Sequence, residues 1–384
     1  MTTPSVRELV GGLPPEGLPA YVYDLAALGE HVAGVRRALA APGGPELFYA
    51  AKANPDAGIL RAVAPHVHGI EVASGGELAH VRGVLPDARI AFGGPGKTDG
   101  ELRAALALGV ERIHVESPYE LRRLAGLAAG EGREADLLLR VNLAAERRGA
   151  ALAMAGPFGM DPELIGDCLG VLAGAPHLRL RGIHAHLASG LRAEAIVRQQ
   201  REILAWARPW LAAAGVARPE YNLGGGMGVD YGDPAARFDW PGYGAAIAAL
   251  AGPGETLRIE PGRALSVHYG WYVTDVLDVK RAHGEDHAIL RGGTHHLRTP
   301  VAKGHDQPFE VIPRHAAGVP SLARTSVTLV GQLCTPKDVF ARNRPVEALA
   351  AGDLVVFQMA GAYAWNISHH GFLMHPEPAV HYLS

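Results

Sequence analysis

Eight short apolar runs, each followed by a segment with helical spacing, recur between Glu46 and Ile259. The runs are Glu46–Ala51, Gly69–Val72, Arg89–Phe92, Arg112–Val115, Asp136–Val141, Arg179–His184, Glu220–Leu223 and Thr256–Ile259. Each is short and bounded by turn residues, as expected of a buried parallel strand. Between them lie Ala-, Leu- and Arg-rich stretches of helical period, such as Asp56–Val63, Gly75–Val84, Asp99–Leu108, Pro118–Ala129 and Ala193–Ala214. Strands alternating with helices cannot pair as hairpins, so the pattern predicts a parallel sheet with crossover helices. Eight units in series predict an α/β fold of the (β/α)8 TIM barrel type. After Leu265 the texture changes. Val267–Lys280, His287–Arg291, Ser326–Leu333 and Leu354–Met359 read as strands separated by turns, which predicts a second, C-terminal β-rich domain. The expected division is 24–265 for the barrel and 1–23 with 266–384 for the β-rich domain. Tyr21–Asp24 is expected to be a strand of the latter, with Asp24 capping the helix that follows.

The polar and glycine-rich residues fall just after the strands: Lys52, Ser74-Gly75-Gly76-Glu77, Gly93-Gly94, Asn142, His186, Gly224-Gly225-Gly226 and Glu260. In such barrels the loops at the carboxyl ends of the strands build the active site. Lys52 ends the apolar run Phe48-Tyr49-Ala50-Ala51, and Pro55 keeps Asn54 out of helical geometry. A strand-end lysine with an apolar stem either snorkels to solvent or is tuned for Schiff-base chemistry. Consecutive glycines at 224–226 let backbone N–H groups approach a phosphate, and equally make a flexible turn. Glu260 suits the ring nitrogen of a pyridine cofactor, with Arg263 reaching its phosphate, or the two form an ordinary ion pair. His184 and His186 share a strand face. Without a third ligand placed by spacing, no metal site is expected. Cys334, past a late strand and among turn residues, is either a packed apolar residue or an exposed proton donor. Tyr363 could offer its phenol to a phosphate or simply pack.

Composition narrows the function classes. The chain has 384 residues, 48% hydrophobic and 20% charged, with a formal net charge of −3. That balance gives no electrostatic reason to bind nucleic acid or an anionic membrane. Met1 to Ala20 shows no signal-peptide pattern, no apolar run reaches membrane-spanning length, and Cys168 and Cys334 make no disulfide framework. A cytoplasmic enzyme is expected.

Taken together, Tyr49-Ala50-Ala51-Lys52-Ala53-Asn54, Ala73-Ser74-Gly75-Gly76-Glu77, His186-Leu187-Ala188-Ser189, Gly224-Gly225-Gly226, Glu260-Pro261-Gly262-Arg263, Cys334-Thr335-Pro336-Lys337-Asp338 and Gly361-Ala362-Tyr363 form an ordered set. The set resembles the fold-type III pyridoxal-phosphate-dependent decarboxylases, the diaminopimelate and ornithine decarboxylase family, whose barrel is like that of alanine racemase. The resemblance implies that Lys52 carries pyridoxal 5'-phosphate covalently and that His186 stacks on its ring. It implies that Ser189, Gly224, Gly225, Gly226, Gly262, Arg263 and Tyr363 hold the phosphate, with Glu260 at the pyridine nitrogen. Racemases of this fold place an arginine at that last position, so Glu260 implies decarboxylation. Cys334 is implied to donate a proton across a homodimer interface, the β-rich domain completing the partner subunit's site.

The departures concern substrate. Family members acting on diaminopimelate or ornithine carry an acidic residue after the cysteine, where this chain has Thr335. Gly293-Thr294-His295-His296-Leu297-Arg298-Thr299-Pro300 also lacks their Asn-Asp pattern. Both features resemble the decarboxylases of carboxylate siderophore assembly, of the staphyloferrin B type, whose substrate is a citryl-diaminopropionate conjugate. Arg298, His295, His296, Thr335 and Asp338 are the expected substrate-binding residues. Decarboxylation of meso-diaminopimelate or another diamino acid is the alternative; a non-catalytic pyridoxal-phosphate-binding protein is a third reading.

Overall fold

The computed structural model describes residues 2–143, 151–153 and 156–384. It falls into two compact units: 29–229 with 238–265, and 1–28 with 230–237 and 266–384.

The first unit is a closed barrel of eight parallel strands. In chain order they are Glu46–Ala50, Gly69–Val72, Ile90–Phe92, Arg112–Val115, Ala135–Arg140, Leu178–His184, Glu220–Asn222 and Thr256–Ile259. Every one lies within a residue of the bounds expected from the apolar runs. The eighth strand closes on the first through Arg258↔Glu46 and Ile259↔Leu47. The helices begin where side-chain caps allow. Asp56 accepts from the Gly58 and Ile59 amides, Ser74 from Glu77, Thr98 from Glu101 and Ser117 from Glu120. Each cap satisfies an amide that has no partner within its own helix. The Ser74-to-Glu77 stretch is thus in part a cap, with Glu77 returning a carboxylate to the Ala73 amide at 2.7 Å.

At the amino-terminal ends of the strands lies a web of ion pairs. Arg258 meets Glu46 at 2.6 Å and Glu111 at 3.0 Å, and its guanidinium carbon lies 4.1 Å from the Phe48 ring centre. Arg89 bridges the same two carboxylates, and Arg112 joins Glu220 at 2.5 Å and Asp136 at 3.4 Å. Burial pushes the Glu46 and Glu111 carboxyls up, but the arginines outweigh it and hold both below their ordinary range.

The second unit is an eight-stranded sheet. Along it run Phe309–Ile312, Leu354–Phe357, Gly270–Ala282, Glu285–Leu290, Ser321–Val330 and Val339–Ala350. Ala20–Asp24 joins this sheet, antiparallel to Gly270–Ala282 and parallel to Ala379–Leu383. Asp24 then accepts from the Ala27 amide at 2.9 Å, as its capping role requires. The helix Pro4–Gly12 lays Val6 and Val10 on a core of Val22, Trp271, Val273 and Val356. Among the described residues no helix is long and apolar enough to cross a membrane.

Candidate active site

Lys52 stands just past the first barrel strand, in the single turn Ala51–Ala53. That turn is pinned from both sides. Tyr49 Oη donates to the Asn54 carbonyl at 3.2 Å, and Asn54 stays extended ahead of Pro55. On the other side Gly262 packs so closely that a Cβ there would lie 2.7 Å from Cβ of Ala53. Only glycine fits this approach of the eighth strand's loop to the lysine turn. The Lys52 ammonium reaches Glu71 Oε2 at 2.7 Å. Glu71 points inward from the second strand, and its burial raises its carboxyl against the lowering effect of Lys52.

Glu260 follows the eighth strand and is buried. Asn222 Nδ2 donates to its Oε1 at 2.5 Å, while Asn222 Oδ1 accepts from the Gly224 amide at 3.1 Å, which fixes the amide's orientation. His184 Nε2 lies 3.5 Å from Glu260 Oε2, and His114 Nε2 lies 3.9 Å from Oε1. The two imidazoles stack on each other with ring centres 4.3 Å apart. Burial drives both well below the ordinary histidine range, so each is neutral at pH 7. Among the described residues these three form the one group of ligand atoms close enough to hold a metal ion. Asn222 Nδ2 already donates to Glu260 Oε1.

His186 sits one alternation beyond His184. The Gly225 amide, which can only donate, reaches His186 Nδ1 at 3.2 Å. The ring proton therefore resides on Nε2, which faces Ser189 Oγ at 3.3 Å. Burial, then the charge of Lys52, pushes this imidazole down to about 3, so the ring is neutral. Gly224 has φ +67°, and a Cβ on it would lie 2.8 Å from His186 Nδ1. The glycine run thus brings its backbone against the histidine and, through Gly225, against the Glu260 carbonyl. A lysine, a neutral flat ring, a glycine cradle and a buried carboxylate converge at the carboxyl end of one barrel. The donors and acceptors fit a pyridine ring carrying an aldehyde and a phosphate.

Glu71, His114 and Asn222 are not among the site residues that the sequence motifs mark. The signal was present. Each is a buried polar residue on a barrel strand, Glu71 and His114 between apolar neighbours and Asn222 at the strand's end.

The family model described as "Pyridoxal-dependent decarboxylase, pyridoxal binding domain" matches residues 25–267. The chain belongs to the pyridoxal-dependent decarboxylases. It is an enzyme of carboxy-lyase type, and pyridoxal 5'-phosphate is its cofactor. The chain is 42% identical to the 2-[(L-alanin-3-ylcarbamoyl)methyl]-2-hydroxybutanedioate decarboxylase of Staphylococcus aureus, an alignment covering 95% of this chain and 94% of that one. It is 32% identical to diaminopimelate decarboxylase of Zymomonas mobilis, over 90% and 83% of the two chains. In fold it is similar to diaminopimelate decarboxylase of Helicobacter pylori solved with L-lysine, with a TM-score of 0.87 at 24% identity and coverage of 98% and 94%.

Arg263 belongs to the barrel unit, where it opens the short helix Arg263–Ser266, and the other residues implied by the resemblance to this family belong to the β-rich unit. Cys334 is exposed with a free thiol. Thr335 and Asp338 flank a turn closed by Asp338 N to the Thr335 carbonyl at 3.1 Å. Asp338 is buried, its two carboxylate oxygens accepting from the Thr294 and Leu333 amides at 2.6 and 2.9 Å. Tyr363 adopts φ +49°, a left-handed conformation rare for a bulky residue, and its carbonyl accepts from Thr299 Oγ1. His296 is fully engaged inside the unit. Its Nε2 donates to the Pro376 carbonyl at 3.0 Å, so its Nδ1 accepts from Tyr272 Oη at 3.0 Å. His295 is buried beside it with neither ring nitrogen hydrogen-bonded. Arg298 is exposed, and its backbone amide donates to Ser368 Oγ.

Proposed function

We propose that this enzyme removes the α-carboxylate of a 2,3-diaminopropionate unit joined by an amide to citrate. The observation that carries this reading is the 42% identity, over nearly the whole chain, to the S. aureus enzyme named for that compound. The name describes a hydroxybutanedioate bearing a carbamoylmethyl arm on carbon 3 of alanine, which is a citrate amide. Thr335 and Arg298 support it, because a polycarboxylate needs cations around it and no acidic residue at the distal position. The alternative, decarboxylation of meso-diaminopimelate, draws on the 32% identity to the Z. mobilis enzyme.

Bound pyridoxal phosphate supplies the electron sink for the pair left on Cα when CO2 departs. The chain's own groups do the rest. Lys52 would hold the cofactor covalently, and Glu71 pairs with its ammonium when the amine is free. His186 offers a neutral ring face, and its uncharged state avoids opposing positive charge on the cofactor ring. Glu260, braced by Asn222 and His184, would hold a proton at the pyridine nitrogen. Ser189, the amides of Gly224 to Gly226, Gly262, Arg263 and Tyr363 would hold the phosphate. Cys334 Sγ would deliver the proton to Cα. We assign that thiol to the partner of a homodimer working in the cytoplasm, as the family resemblance implies.

The test is CO2 release measured side by side from the citrate conjugate, from free meso-diaminopimelate and from ornithine. Turnover of the conjugate with poor turnover of the free diamino acids is expected. Efficient turnover of meso-diaminopimelate with none of the conjugate overturns the reading.

A further inference from the structure

His295 is 1% exposed, and neither of its ring nitrogens has a hydrogen-bond partner. A buried polar group left unpaired is costly, so one kept in a native structure calls for an explanation. Its surroundings say what that is. The His375 ring centre lies 5.3 Å away and that of His369 6.4 Å away, with His296 against it at 3.8 Å. The Arg298 amide donates to Oγ of Ser368, the residue before His369, and burial and then the Arg298 charge lower the His369 imidazole.

The tautomers can be read from fixed neighbours. Gln332 Oε1 accepts from the Gly292 amide at 2.8 Å, which turns its Nε2 toward His375. That amide lies 3.0 Å from His375 Nδ1 and 3.4 Å from Nε2, so Nδ1 is the acceptor and Nε2–H is left to donate. His296 is spent on Tyr272 and Pro376, as described, and cannot serve. The Nδ1 of His369 is likewise buried without a partner. His369 and His375 therefore both lie by His295, with ring nitrogens available on all three, and Arg298 is tied to the residue before His369.

We propose that His295, His369 and His375, with Arg298, form a receptor for a carboxylate group, of the kind a citrate moiety carries. The proposal rests on the function proposed above only in taking citrate as the ligand. A cation fits less well. The guanidinium would repel it, and among the described residues these imidazoles do not bring three ligand atoms within 4.8 Å, as His114, His184 and Glu260 do.

The receptor carries a protonic consequence. The groups that face His295 are His296, His369, His370 and His375, and Asp338 acts on His369. Asp338 accepts from two backbone amides, and its charge opposes the lowering of His369. Burial and then the neighbouring imidazoles push His295 down to about 4, and the ring is neutral at pH 7. A carboxylate placed against it favours the charged form and raises that value. Binding must then draw protons from solvent and tighten as pH falls from 7 toward 5. An imidazolium–carboxylate contact gives the receptor a stronger hold on a trianion than Arg298 alone provides.

The probe is citrate itself, titrated calorimetrically into the holoenzyme at pH 7 and pH 6 in two buffers of different ionisation heat. Wild type should bind with net proton uptake, more tightly at pH 6. His295→Phe keeps ring volume and should weaken citrate at least tenfold and abolish the uptake, while Arg298→Ala weakens binding but retains uptake. His369→Gln serves as the second variant should His295→Phe not fold, judged by cofactor absorbance and melting temperature. Citrate affinity and proton uptake unchanged in the folded variant overturn the receptor. Stoichiometric Zn2+ binding lost in His295→Phe, with citrate unaffected, overturns it in favour of a cation. The two readings separate cleanly. No CO2 from the conjugate with His295-dependent citrate binding defeats the substrate assignment alone. Normal turnover by His295→Phe, with unchanged KM and citrate affinity, defeats the receptor alone.

Discussion

Glu260→Gln is the sharpest perturbation the barrel site allows. The amide is nearly isosteric, and its oxygen can still accept from Asn222 Nδ2, now 2.5 Å from Glu260 Oε1. What disappears is the negative charge. Neither imidazole nearby can replace it, because burial keeps His114 and His184 neutral and they carry no anionic form. The ring nitrogen of the cofactor would then lose a charge-assisted hydrogen bond, worth about 1.5–3 kcal/mol. At 1.36 kcal/mol per tenfold, kcat for CO2 release should fall roughly 10- to 160-fold. The fall should appear in kcat rather than in cofactor occupancy, since the groups assigned to the phosphate are untouched. Stopped assays of CO2 give kcat, and cofactor absorbance on the same samples gives occupancy. Full occupancy with kcat within twofold of wild type would refute the role assigned to Glu260.

Lys52→Ala should abolish borohydride trapping of cofactor on the chain; mass spectrometry finding the trapped group on another lysine would contradict its assignment. Mixing inactive Lys52→Ala with inactive Cys334→Ala should restore part of the activity if the thiol acts across a dimer, and no recovery after verified subunit exchange counts against sharing. Glu46 and Glu111 are held below their ordinary values, so their contribution to stability is present above about pH 4.3, the unfolded carboxyl value, and is lost as pH falls through the folded values. Arg258→Met should therefore flatten the acid limb of melting temperature against pH, and an unchanged limb would mean the web contributes little.

The barrel was legible because its strands are short, apolar and fenced by turns, a pattern that burial on both faces imposes. The β-rich unit was less so. Val339–Ala350 carries Arg342-Asn343-Arg344-Pro345 on a strand exposed over much of its length, and that composition reads as a loop. Phe309–Ile312 is only half-buried and short. Trp240–Ala248 hides a helix behind Pro241, Gly242 and Gly244; Pro241 fits a first turn, and Gly244 lets the helix approach the Ala38 carbonyl. In the site, residues at strand ends stood out, whereas Glu71 and His114 lay within runs that looked merely apolar. The idle nitrogens of His295 had no sequence signal at all, because pairing with Tyr272 and Pro376 distinguishes His296 from its neighbour only in three dimensions.

The placement of Ala20–Asp24 between Gly270–Ala282 and Ala379–Leu383 has a consequence for biosynthesis. A ribosome releases residues 20–24 early but supplies one neighbour only after residue 282 and the other only after residue 383. Until then an apolar strand, Ala-Tyr-Val-Tyr, waits with both edges open, and open edges recruit other chains. The barrel segment can close in the meantime, since all eight of its strands lie before residue 260. Nascent chains stalled before residue 379 should consequently be more prone to self-association than the finished protein.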